Sequence, residues 1–481
     1  MVGSGIGGLS AAIRMAVRGY KVTVFEQSSK AGGKISEIKV NGFRFDTGPS
    51  LFTLPVLVDE LFELCGMDPR DHFHYIPLDA SCRYFWEDGT MITAWHDTGA
   101  FAAEVEEKTG VPGKKIHTFL AKSRRLYELT AEVFLFNSFH RWRNFLKPAY
   151  RRSLLHLHEL DAMLSMHRRN KKWFGHPKMV QLFDRYATYN GSSPYKTPAT
   201  LNIISHLEHN VGAVFPAKGM YSIASSLQEL AGKQGVTFCF NSPVEEVVVE
   251  SGRVGGIRVN QQLLPCDVVV SNMDIVPFYR RLMPGEKIPR KQLTLERSSS
   301  ALIFYWGVDK VFPQLKLHNI LFADDYRKEF DHLFGSRTIT DDPTVYLFIS
   351  SKVVPGDAPA GKENWYVMIN VPENVGQDWD VLVQQARSHI ISKINKVLHT
   401  DIENHIVAEA MADPRTIERD TGSYRGSLYG LSSNSMFAAF NRHPNFRRKY
   451  KNLYFTGGSV HPGGGIPLCL ASAKIVDGEI K

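Results

Sequence analysis

The sequence predicts an α/β protein with two domains, one of them a nucleotide-binding unit and the other an α+β unit. Three observations lead to this prediction. The chain has 481 residues, and a single hydrophobic core stops growing at about 250–300 residues. A glycine-rich motif stands at the start of the chain, directly before a helix pattern and a strand pattern. A second glycine-rich loop stands close to the end, so that one ligand could bridge both ends.

The first motif is G-x-G-x-x-G, formed by residues 3–8 (GSGIGG) and followed by a helix pattern that Gly19 ends. A strand pattern, residues 21–26, then ends in a carboxylate. In a Rossmann fold the first glycine makes a tight turn, the second admits a pyrophosphate and the third lets the helix pack on its strand. Glu26 stands where an acid accepts both ribose hydroxyls. An acid at that place disfavours the 2′-phosphate of NADP.

A nucleotide-binding fold needs a strand before its first glycine, and only Met1 and Val2 precede Gly3. Two explanations are open: the sequence is trimmed, or the central strand is absent. A helix without its strand would leave a position in the sheet empty. We therefore expect trimming.

Two further motifs follow, Ala31-Gly32-Gly33-Lys34 and residues 42–50 (GFRFDTGPS). A glycine pair with a cation just beyond the ribose acid suits a second passage of the chain over a pyrophosphate. FAD sites of the glutathione-reductase-like class often have this feature, and NAD sites do not need it. The alternative for each element is a plain turn of a hairpin followed by a β-strand.

Residues 100–190 have a helical pattern, and residues 133–147 (VFLFNSFHRWRNFLK) interleave aromatic and basic side chains. Two interpretations are open. The helices lie at a bilayer surface, where aromatics reach headgroup depth and cations meet lipid phosphates, or they are amphipathic helices that roof an active site. We favour the membrane surface. No nucleic-acid-binding module accompanies the charge. The basic character continues at Arg151, Arg152, Arg168, Arg169, Lys171 and Lys172.

The pattern then returns to the nucleotide domain with a helix (221–230), a strand (236–241), a hairpin that turns at Gly252 and a buried strand (267–272). Val244 stands where backbone groups commonly meet an adenine ring. Residues 297–410 alternate strands with loops before a helix (381–397), which predicts a mixed sheet in the second domain. The predicted strands there are 301–308, 344–350 and 365–369.

Composition limits the compartment and the partners. The net charge is +8, which favours an anionic surface such as lipid headgroups. The five cysteines are scattered without paired spacing, which argues for reduced thiols in the cytoplasm and against a zinc site or any other metal site. No apolar run is long enough to span a membrane. We also expect no signal peptide, because the glycine motif begins at the third residue.

The terminal loop, residues 453–467 (LYFTGGSVHPGGGIP), is the most specific feature. A short apolar strand runs into five glycines and two prolines, and a helix pattern (468–476) follows. Glycine lets the backbone approach a ligand closely. A loop that leads from a strand into the start of a helix suits a flat or anionic ligand.

Together these motifs resemble the bacterial-type phytoene desaturase family of FAD-dependent carotenoid oxidoreductases over nearly the whole chain. Residues 185–195 (RYATYNGSSPY) are more similar to the 1-hydroxycarotenoid 3,4-desaturase branch. The resemblance implies a glutathione-reductase-like Rossmann FAD-binding domain and a discontinuous substrate domain of mixed sheet plus helices. It assigns residues 1–75, 216–290 and 416–481 to the FAD-binding domain, and residues 76–215 and 291–415 to the substrate domain.

The resemblance also implies roles for the site residues. Gly3, Gly5, Gly8 and Glu26 bind the ADP half of FAD; Gly32, Gly33 and Lys34 close over the pyrophosphate and ribityl chain; Gly48 and Pro49 lie beside the isoalloxazine, and Val244 lies at the adenine; Gly457 and Gly458 meet the pyrophosphate or ribityl, and Gly464, Gly465 and Ile466 meet the flavin ring.

The implied reaction removes hydride and a proton across a carbon–carbon single bond next to a polyene, in a 3,4-desaturation of a 1-hydroxycarotenoid or a γ-carotene-type substrate. The flavin takes the hydride, and oxygen or a quinone is the implied electron acceptor. A carotenoid needs an apolar tunnel. No acid/base pair is evident in the sequence. His461 is a candidate base, and it equally fits a residue that only positions the backbone.

Rival functions stay open at this point. Phytoene desaturation and flavin-dependent isomerisation without net oxidation are alternatives within the family. Amine and protoporphyrinogen oxidases share the flavin fold, but the Pro-Gly-Gly-Gly-Ile-Pro ending favours the carotenoid family. A carotenoid- or flavin-binding protein without catalysis is a third class. We expect a cytoplasmic protein at the membrane periphery.

Overall fold

The computed structural model describes residues 1–480. The β-strands in chain order are β1 (Thr23–Phe25), β2 (Ser36–Val40), β3 (Phe43–Thr47), β4 (Tyr75–Pro77), β5 (Ala80–Phe85), β6 (Met91–Trp95), β7 (Val214–Pro216), β8 (Thr237–Cys239), β9 (Val244–Glu250), β10 (Arg253–Val259), β11 (Gln262–Pro265), β12 (Val269–Ser271), β13 (Ser300–Val308), β14 (His318–Leu321), β15 (Val345–Phe348), β16 (Glu363–Val371), β17 (Ile406–Ala412) and β18 (Leu453–Phe455).

The α-helices are α1 (Ile6–Val17), α2 (Val56–Leu64), α3 (Pro69–His72), α4 (Thr98–Thr109), α5 (Gly113–Phe134), α6 (Pro148–Leu155), α7 (Met166–Phe174), α8 (Pro177–Asp184), α9 (Ile203–Ser205), α10 (Tyr221–Lys233), α11 (Ile275–Pro277), α12 (Arg290–Thr294), α13 (Tyr326–Asp331), α14 (Trp379–Leu398), α15 (Pro414–Thr421), α16 (Ala438–Asn441) and α17 (Ile466–Glu479). Shorter helical turns include Arg185–Asn190 and His206–Val211.

A small parallel sheet forms the nucleotide-binding part. β8 pairs with β1 and β12 pairs with β18, both in parallel. Val2 joins the two pairs, because it bridges Phe25 on one side and Ser271 on the other. Its N–H donates to Val270 O at 2.9 Å and its carbonyl accepts from Asn272 N at 2.8 Å. Val2 therefore occupies the central position of the sheet, so the alternative of an absent central strand is wrong.

A seven-stranded mixed sheet forms the second part, with the strand order β17-β13-β16-β15-β14-β5-β6. Its pairings are antiparallel except that between β14 and β5, which is parallel. Every residue of β13 is buried, because helices or other strands cover both faces of the sheet. The two sheets confirm the predicted α/β protein with a second domain of mixed sheet plus helices.

Helices α4–α8 lie within residues 98–184, in agreement with the helical pattern predicted for residues 100–190, and local chemistry sets their ends. α4 begins at Asp97, whose carboxylate accepts from the N–H groups of Gly99 and Ala100, and it ends at Gly110 in the left-handed region. α5 buries residues three or four apart, among them Ile116, Leu120 and Leu126, so one stripe faces the core. Within residues 1–480, no helix combines the length and the apolar character that crossing a bilayer requires.

Candidate functional site

One cavity of about 1380 Å³ runs between the two sheets and reaches the helical region. Cavities for a single drug-sized ligand usually measure about 300–1,000 Å³, so this one has room for more than one such ligand. Both glycine-rich ends of the chain line it. The inner face of the seven-stranded sheet and part of the helical region complete the wall.

The first glycine motif forms a tight loop between the parallel sheet and the start of α1. Gly3 has φ +88°, a value that favours glycine, and Gly5 precedes the first helical residue. Both glycines line the cavity. Gly8 does not line it, because a Cβ on Gly8 would lie 2.3 Å from the Gly3 carbonyl oxygen. Gly8 therefore lets the helix pack on the loop, and the start of α1 faces the cavity without a capping side chain.

Glu26 directly follows the parallel strand β1 and points its carboxylate at this loop. Oε2 accepts from the Ser4 N–H and the Ser4 hydroxyl, both at 2.8 Å, and Oε1 accepts from the Ser28 N–H at 2.9 Å. These bonds fix the orientation of a carboxylate that is 8% exposed and lines the cavity. A carboxylate has about four lone-pair positions, so one remains for a ligand hydroxyl.

The Gly-Gly-Lys motif lies opposite the first loop. Gly5 bridges Gly32, and both glycines of the motif line the cavity together with Lys34. The ammonium of Lys34 donates to the carbonyl oxygens of Leu428 and Ser427 at 2.6 and 3.3 Å. Burial lowers the pKa of Lys34 from its usual value, against the opposing charge of Asp274. A buried cation in a cavity wall favours an anionic ligand.

Gly48 and Pro49 follow β3 and also line the cavity. A Cβ on Gly48 would lie 1.9 Å from the Lys34 carbonyl oxygen, so only glycine fits here. The Gly48 carbonyl accepts from the hydroxyl of Tyr366 on β16 at 3.2 Å. This bond ties the loop to the inner face of the seven-stranded sheet. Val244, at the start of β9, also lines the cavity, and the N–H of Ser242 just before it donates to the Glu26 carbonyl at 2.8 Å.

The terminal loop supplies the remaining part of this wall. Gly458, Gly464, Gly465 and Ile466 line the cavity, and the last of these begins α17. Gly457 does not line it: a Cβ there would lie 2.4 Å from the side-chain nitrogen of Asn272. Gly457 thus resembles Gly8, because each allows close packing behind the wall.

Asn272 is a site residue that sequence reasoning missed. Its amide lies between the two glycine loops. A Cβ added to Gly5 would lie 2.4 Å from Asn272 Oδ1, and a Cβ added to Gly7 would lie 2.8 Å from Asn272 Nδ2. Nδ2 donates to the Thr456 carbonyl at 3.2 Å. The available signal was its position directly after a buried parallel strand, where side chains of several strands converge.

His461 belongs to the terminal loop, is 1% exposed and also lines the cavity. Its Nε2 lies 2.8 Å from the Asn137 carbonyl oxygen, which can only accept, so Nε2 carries the proton. Burial lowers the pKa of His461 to about 3. The imidazole is therefore neutral near pH 7, and its uncharged form is a weak proton acceptor. The geometry favours the interpretation that His461 positions the loop.

Three carboxylates far from the cavity, those of Glu87, Asp324 and Asp342, lie within 4.8 Å of one another. Such a group can attract a cation. Here Lys393 and Lys396 pair with these acids, with the Lys393 ammonium 2.7 Å from Glu87 Oε1. The lysines already supply the positive charge.

The residues along the glycine-rich wall fit FAD. The start of α1 and the Lys34 ammonium suit a pyrophosphate, and the Glu26 carboxylate suits ribose hydroxyls. Gly465 has φ +114°, and a Cβ placed on it would meet no atom within 4 Å, so open space lies in front of this backbone. A flat ring can lie against such a surface.

Comparison with known proteins supports this chemistry. The family described as flavin containing amine oxidoreductase matches residues 6–476. The chain is 48% identical to a 1-hydroxycarotenoid 3,4-desaturase of Flavobacterium sp. (strain P99-3), over 99% of this chain and 97% of the relative. It is 32% identical to a 4,4′-diapolycopene oxygenase of Methylomonas sp, over 100% of this chain and 97% of the relative.

A solved structure of similar fold is an oxidoreductase from Methanosarcina mazei, with a TM-score of 0.64 and 13% identity. The superposition covers 99% of this chain and 98% of that one. At this identity the likeness concerns the fold alone.

Proposed function

The chain belongs to the flavin containing amine oxidoreductase family, and from this premise we propose that it is an FAD-dependent carotenoid desaturase that introduces the 3,4 double bond into a 1-hydroxycarotenoid. One observation carries the proposal. A single continuous cavity joins a glycine-lined nucleotide wall to an apolar wall, in a chain 48% identical to a protein of that activity. The branch prediction made from residues 185–195 agrees with this relative.

FAD, when bound, supplies the two-electron oxidation and accepts hydride from the carbon beside the polyene. We propose that Gly3, Gly5, Glu26 and Lys34 hold its nucleotide half. We further propose that the flavin half contacts Gly458, Gly464, Gly465, Ile466 and the Gly48-Pro49 turn. Gly32, Gly33 and Val244 would contact FAD between or beside these two groups of residues. Gly8 and Gly457 act from behind the wall.

Other residues align the polyene and exclude water. Ile303, Met368 and Leu207 belong to an apolar wall that the substrate would contact. Burial of hydrocarbon contributes about 0.8 kcal/mol for each CH₂, so such a wall binds a polyene without many polar contacts. Loss of hydride would leave a cation delocalised along the polyene, and a weak base such as solvent would suffice to take the proton from it. We therefore assign no proton transfer to His461.

We propose oxygen or a quinone as electron acceptor. We also propose that residues 1–75, 216–290 and 416–481 form the FAD-binding domain and residues 76–215 and 291–415 the substrate domain. The sheets support this division, since Val2, β1, β8, β12 and β18 share one sheet and β5 and β6 join β13–β17 in the other.

The test is product mass and flavin colour with FAD-loaded protein and a 1-hydroxylated acyclic carotenoid. A desaturase bleaches its flavin anaerobically, and its product lacks two hydrogens. An unchanged product mass would instead indicate an isomerase. Flavin that stays yellow with bound substrate would indicate a binding protein. A parallel assay with phytoene distinguishes phytoene desaturation from 3,4-desaturation of a 1-hydroxycarotenoid.

We also propose that the protein docks on an anionic bilayer through an apolar rim, defined as Trp142, Leu146, Leu154, Leu155, Met163 and Phe437. These side chains are strongly exposed, with Trp142 at 67%, Leu155 at 77% and Met163 at 83%. Exposed apolar residues clustered among cations are typical of surfaces that lie in the headgroup region. The neighbouring cations are Arg143, Lys147, Arg151 and Arg152.

The apolar rim continues into the cavity. Leu157, Leu160 and Phe437 line the cavity beside the rim. The ring of Phe440 lies 6.1 Å from that of Phe134 at the end of α5, which joins the two segments of the rim. A lipid-soluble substrate could pass from the bilayer into the cavity without crossing water.

Replacing Leu155 by aspartate should weaken binding to phosphatidylserine-containing vesicles by about tenfold or more. Burial of one leucine contributes about 1.5–3 kcal/mol, and the new charge is repelled by anionic lipid. Val311→Asp is the control, because Val311 is also exposed, at 46%, but lies outside the rim. Co-sedimentation at low salt measures both variants. Equal binding of Leu155→Asp and wild type would contradict the docking surface.

A further inference from the structure

Apart from the glycine-rich wall, the cavity meets a buried polar cluster, defined as Ser81, Arg185, Tyr189 and Glu208. Arg185 and Glu208 are 4% and 2% exposed, and Arg185 Nη2 lies 3.0 Å from Glu208 Oε1. All four residues line the cavity. The Ser81 hydroxyl donates to Glu208 Oε1 at 3.0 Å, and the Tyr189 hydroxyl donates to Oε2. Hydride removal from a polyene requires none of these groups.

The cluster is charged although it is buried. Burial would raise the pKa of Glu208, but the charge of Arg185, together with His209 and the hydrogen bonds from Tyr189 and Tyr186, outweighs burial and holds that pKa below its usual value. The Arg185 guanidinium lies 4.7–5.1 Å from the ring centroids of Tyr84, Tyr186 and Tyr189, which surround it. A buried ion pair is weak evidence for stability, because desolvation offsets its attraction. Its place in the lining of the ligand cavity, apart from the glycine-rich wall, suggests a role toward the ligand.

His318 on β14 faces the same cavity and has an unused ring nitrogen. Nδ1 lies 2.8 Å from the Tyr346 hydroxyl, which lies 2.7 Å from the Ser50 hydroxyl. His318 Nε2 and Arg185 Nε are both buried, and neither has a hydrogen-bond partner within residues 1–480. Buried polar atoms normally have partners. Burial lowers the pKa of His318 to about 3, so its ring is neutral and can pair with a neutral hydroxyl.

The register of the sheet places His318, and with it the polar side of the cavity, close to the proposed flavin wall. His318 pairs with Phe348, and Phe348 pairs with Tyr366, whose hydroxyl donates to the Gly48 carbonyl. Two strand spacings separate His318 from Tyr366, about 10 Å. In a 1-hydroxycarotenoid the hydroxyl oxygen lies roughly 4 Å from the 3,4 bond, given carbon–carbon bonds of about 1.5 Å. The reacting carbons therefore fit between the polar end and the flavin wall.

We propose that the polar cluster and His318 bind the 1-hydroxyl group of the substrate and so fix the carbon–carbon bond that lies at the flavin. This inference rests on the proposed function and deepens it. Binding sites built to hydrogen-bond a hydroxyl discriminate strongly against the analogue that lacks it, because their polar groups then stay unpaired. The polar cluster thus selects hydroxylated over unhydroxylated acyclic carotenoids.

The test compares kcat/KM for a 1-hydroxylated acyclic carotenoid and for its unhydroxylated parent. Tyr189→Phe and His318→Phe each remove one polar group and keep an aromatic ring, and His318 already stacks on Phe348 at 5.3 Å between centroids. We expect each variant to lower the preference for the hydroxylated substrate about tenfold, as loss of one hydrogen bond does. Tyr195→Phe is the matched control, because it removes a hydroxyl from the same segment outside the cavity lining.

A change in the ratio of the two substrates separates recognition from structure. Equal losses on both substrates, or an unchanged ratio in both variants, would overturn the proposal. Quenching of protein fluorescence by each carotenoid measures the same preference without turnover. The two proposals can fail separately. If both variants reduce the binding preference but the wild-type protein never bleaches its flavin, the hydroxyl site is upheld and the proposed reaction is not.

Discussion

Replacing Glu208 with alanine is expected to lower the free energy of unfolding by about 3–5 kcal/mol, the usual cost of leaving a buried charge without its partner. Glu208 compensates Arg185 across 3.0 Å, and its side chain is 1% exposed. It also accepts a hydrogen bond from the Tyr186 hydroxyl at 2.9 Å. The alanine variant leaves this cation and several hydroxyl groups unpaired beside a new void. Urea denaturation of the FAD-loaded protein, at matched FAD concentration, measures the loss.

An exposed pair of the same residue types provides the control. Glu246 and Arg258 also lie 3.0 Å apart, but their side chains are 44% and 40% exposed. Solvent screens such a pair, so Glu246→Ala should cost less than about 1 kcal/mol. The double variant Arg185→Met/Glu208→Leu should recover most of the lost stability, because it removes both charges. A Glu208→Ala variant no less stable than Glu246→Ala would refute the assignment of a buried charged pair.

Both glycine loops and Glu26 could be predicted from sequence because their chemistry is local. Within residues 3–26 the tight turn, the helix, the strand and the acid follow one another along the chain, so one pattern specifies this part of the site. The terminal loop is predictable for the same reason. The roles within these loops were less accessible. Gly8 and Gly457 both pack behind the wall. The contact of Gly8 with Gly3 O is local and follows from the motif, whereas the contact of Gly457 with Asn272 Nδ2 joins distant parts of the chain.

The polar cluster shows what the sequence could not supply. Ser81, Arg185, Glu208 and His318 come from β5, two helical turns and β14. Each fits its own element in isolation, and only the parallel pairing of β14 with β5 brings the strands together. Non-local pairing of this kind has no periodic signal along the chain. The partner of His461, the Asn137 carbonyl, is likewise 324 residues away.

Replacing Gly8 with alanine is expected to weaken FAD binding between about fivefold and a hundredfold. The added Cβ would lie 2.3 Å from the Gly3 carbonyl oxygen. That atom belongs to the backbone of the nucleotide loop, so the loop must shift. Overpacking of this kind costs about 1–3 kcal/mol, and 1.4 kcal/mol corresponds to a factor of ten in Kd. Flavin fluorescence on titration of the apoprotein with FAD measures the affinity.

Gly478→Ala is the matched control, because Gly478 is also a helical glycine but has open space around it. Alanine there should leave FAD affinity unchanged and raise helix stability by up to about 1 kcal/mol. Circular dichroism of the two apoproteins separates a displaced loop from general unfolding, since a local shift leaves the helix content intact. If Gly8→Ala bound FAD as tightly as Gly478→Ala, the loop could not depend on the close contact between α1 and Gly3. The helix start would then be free to move without affecting the nucleotide half of the site.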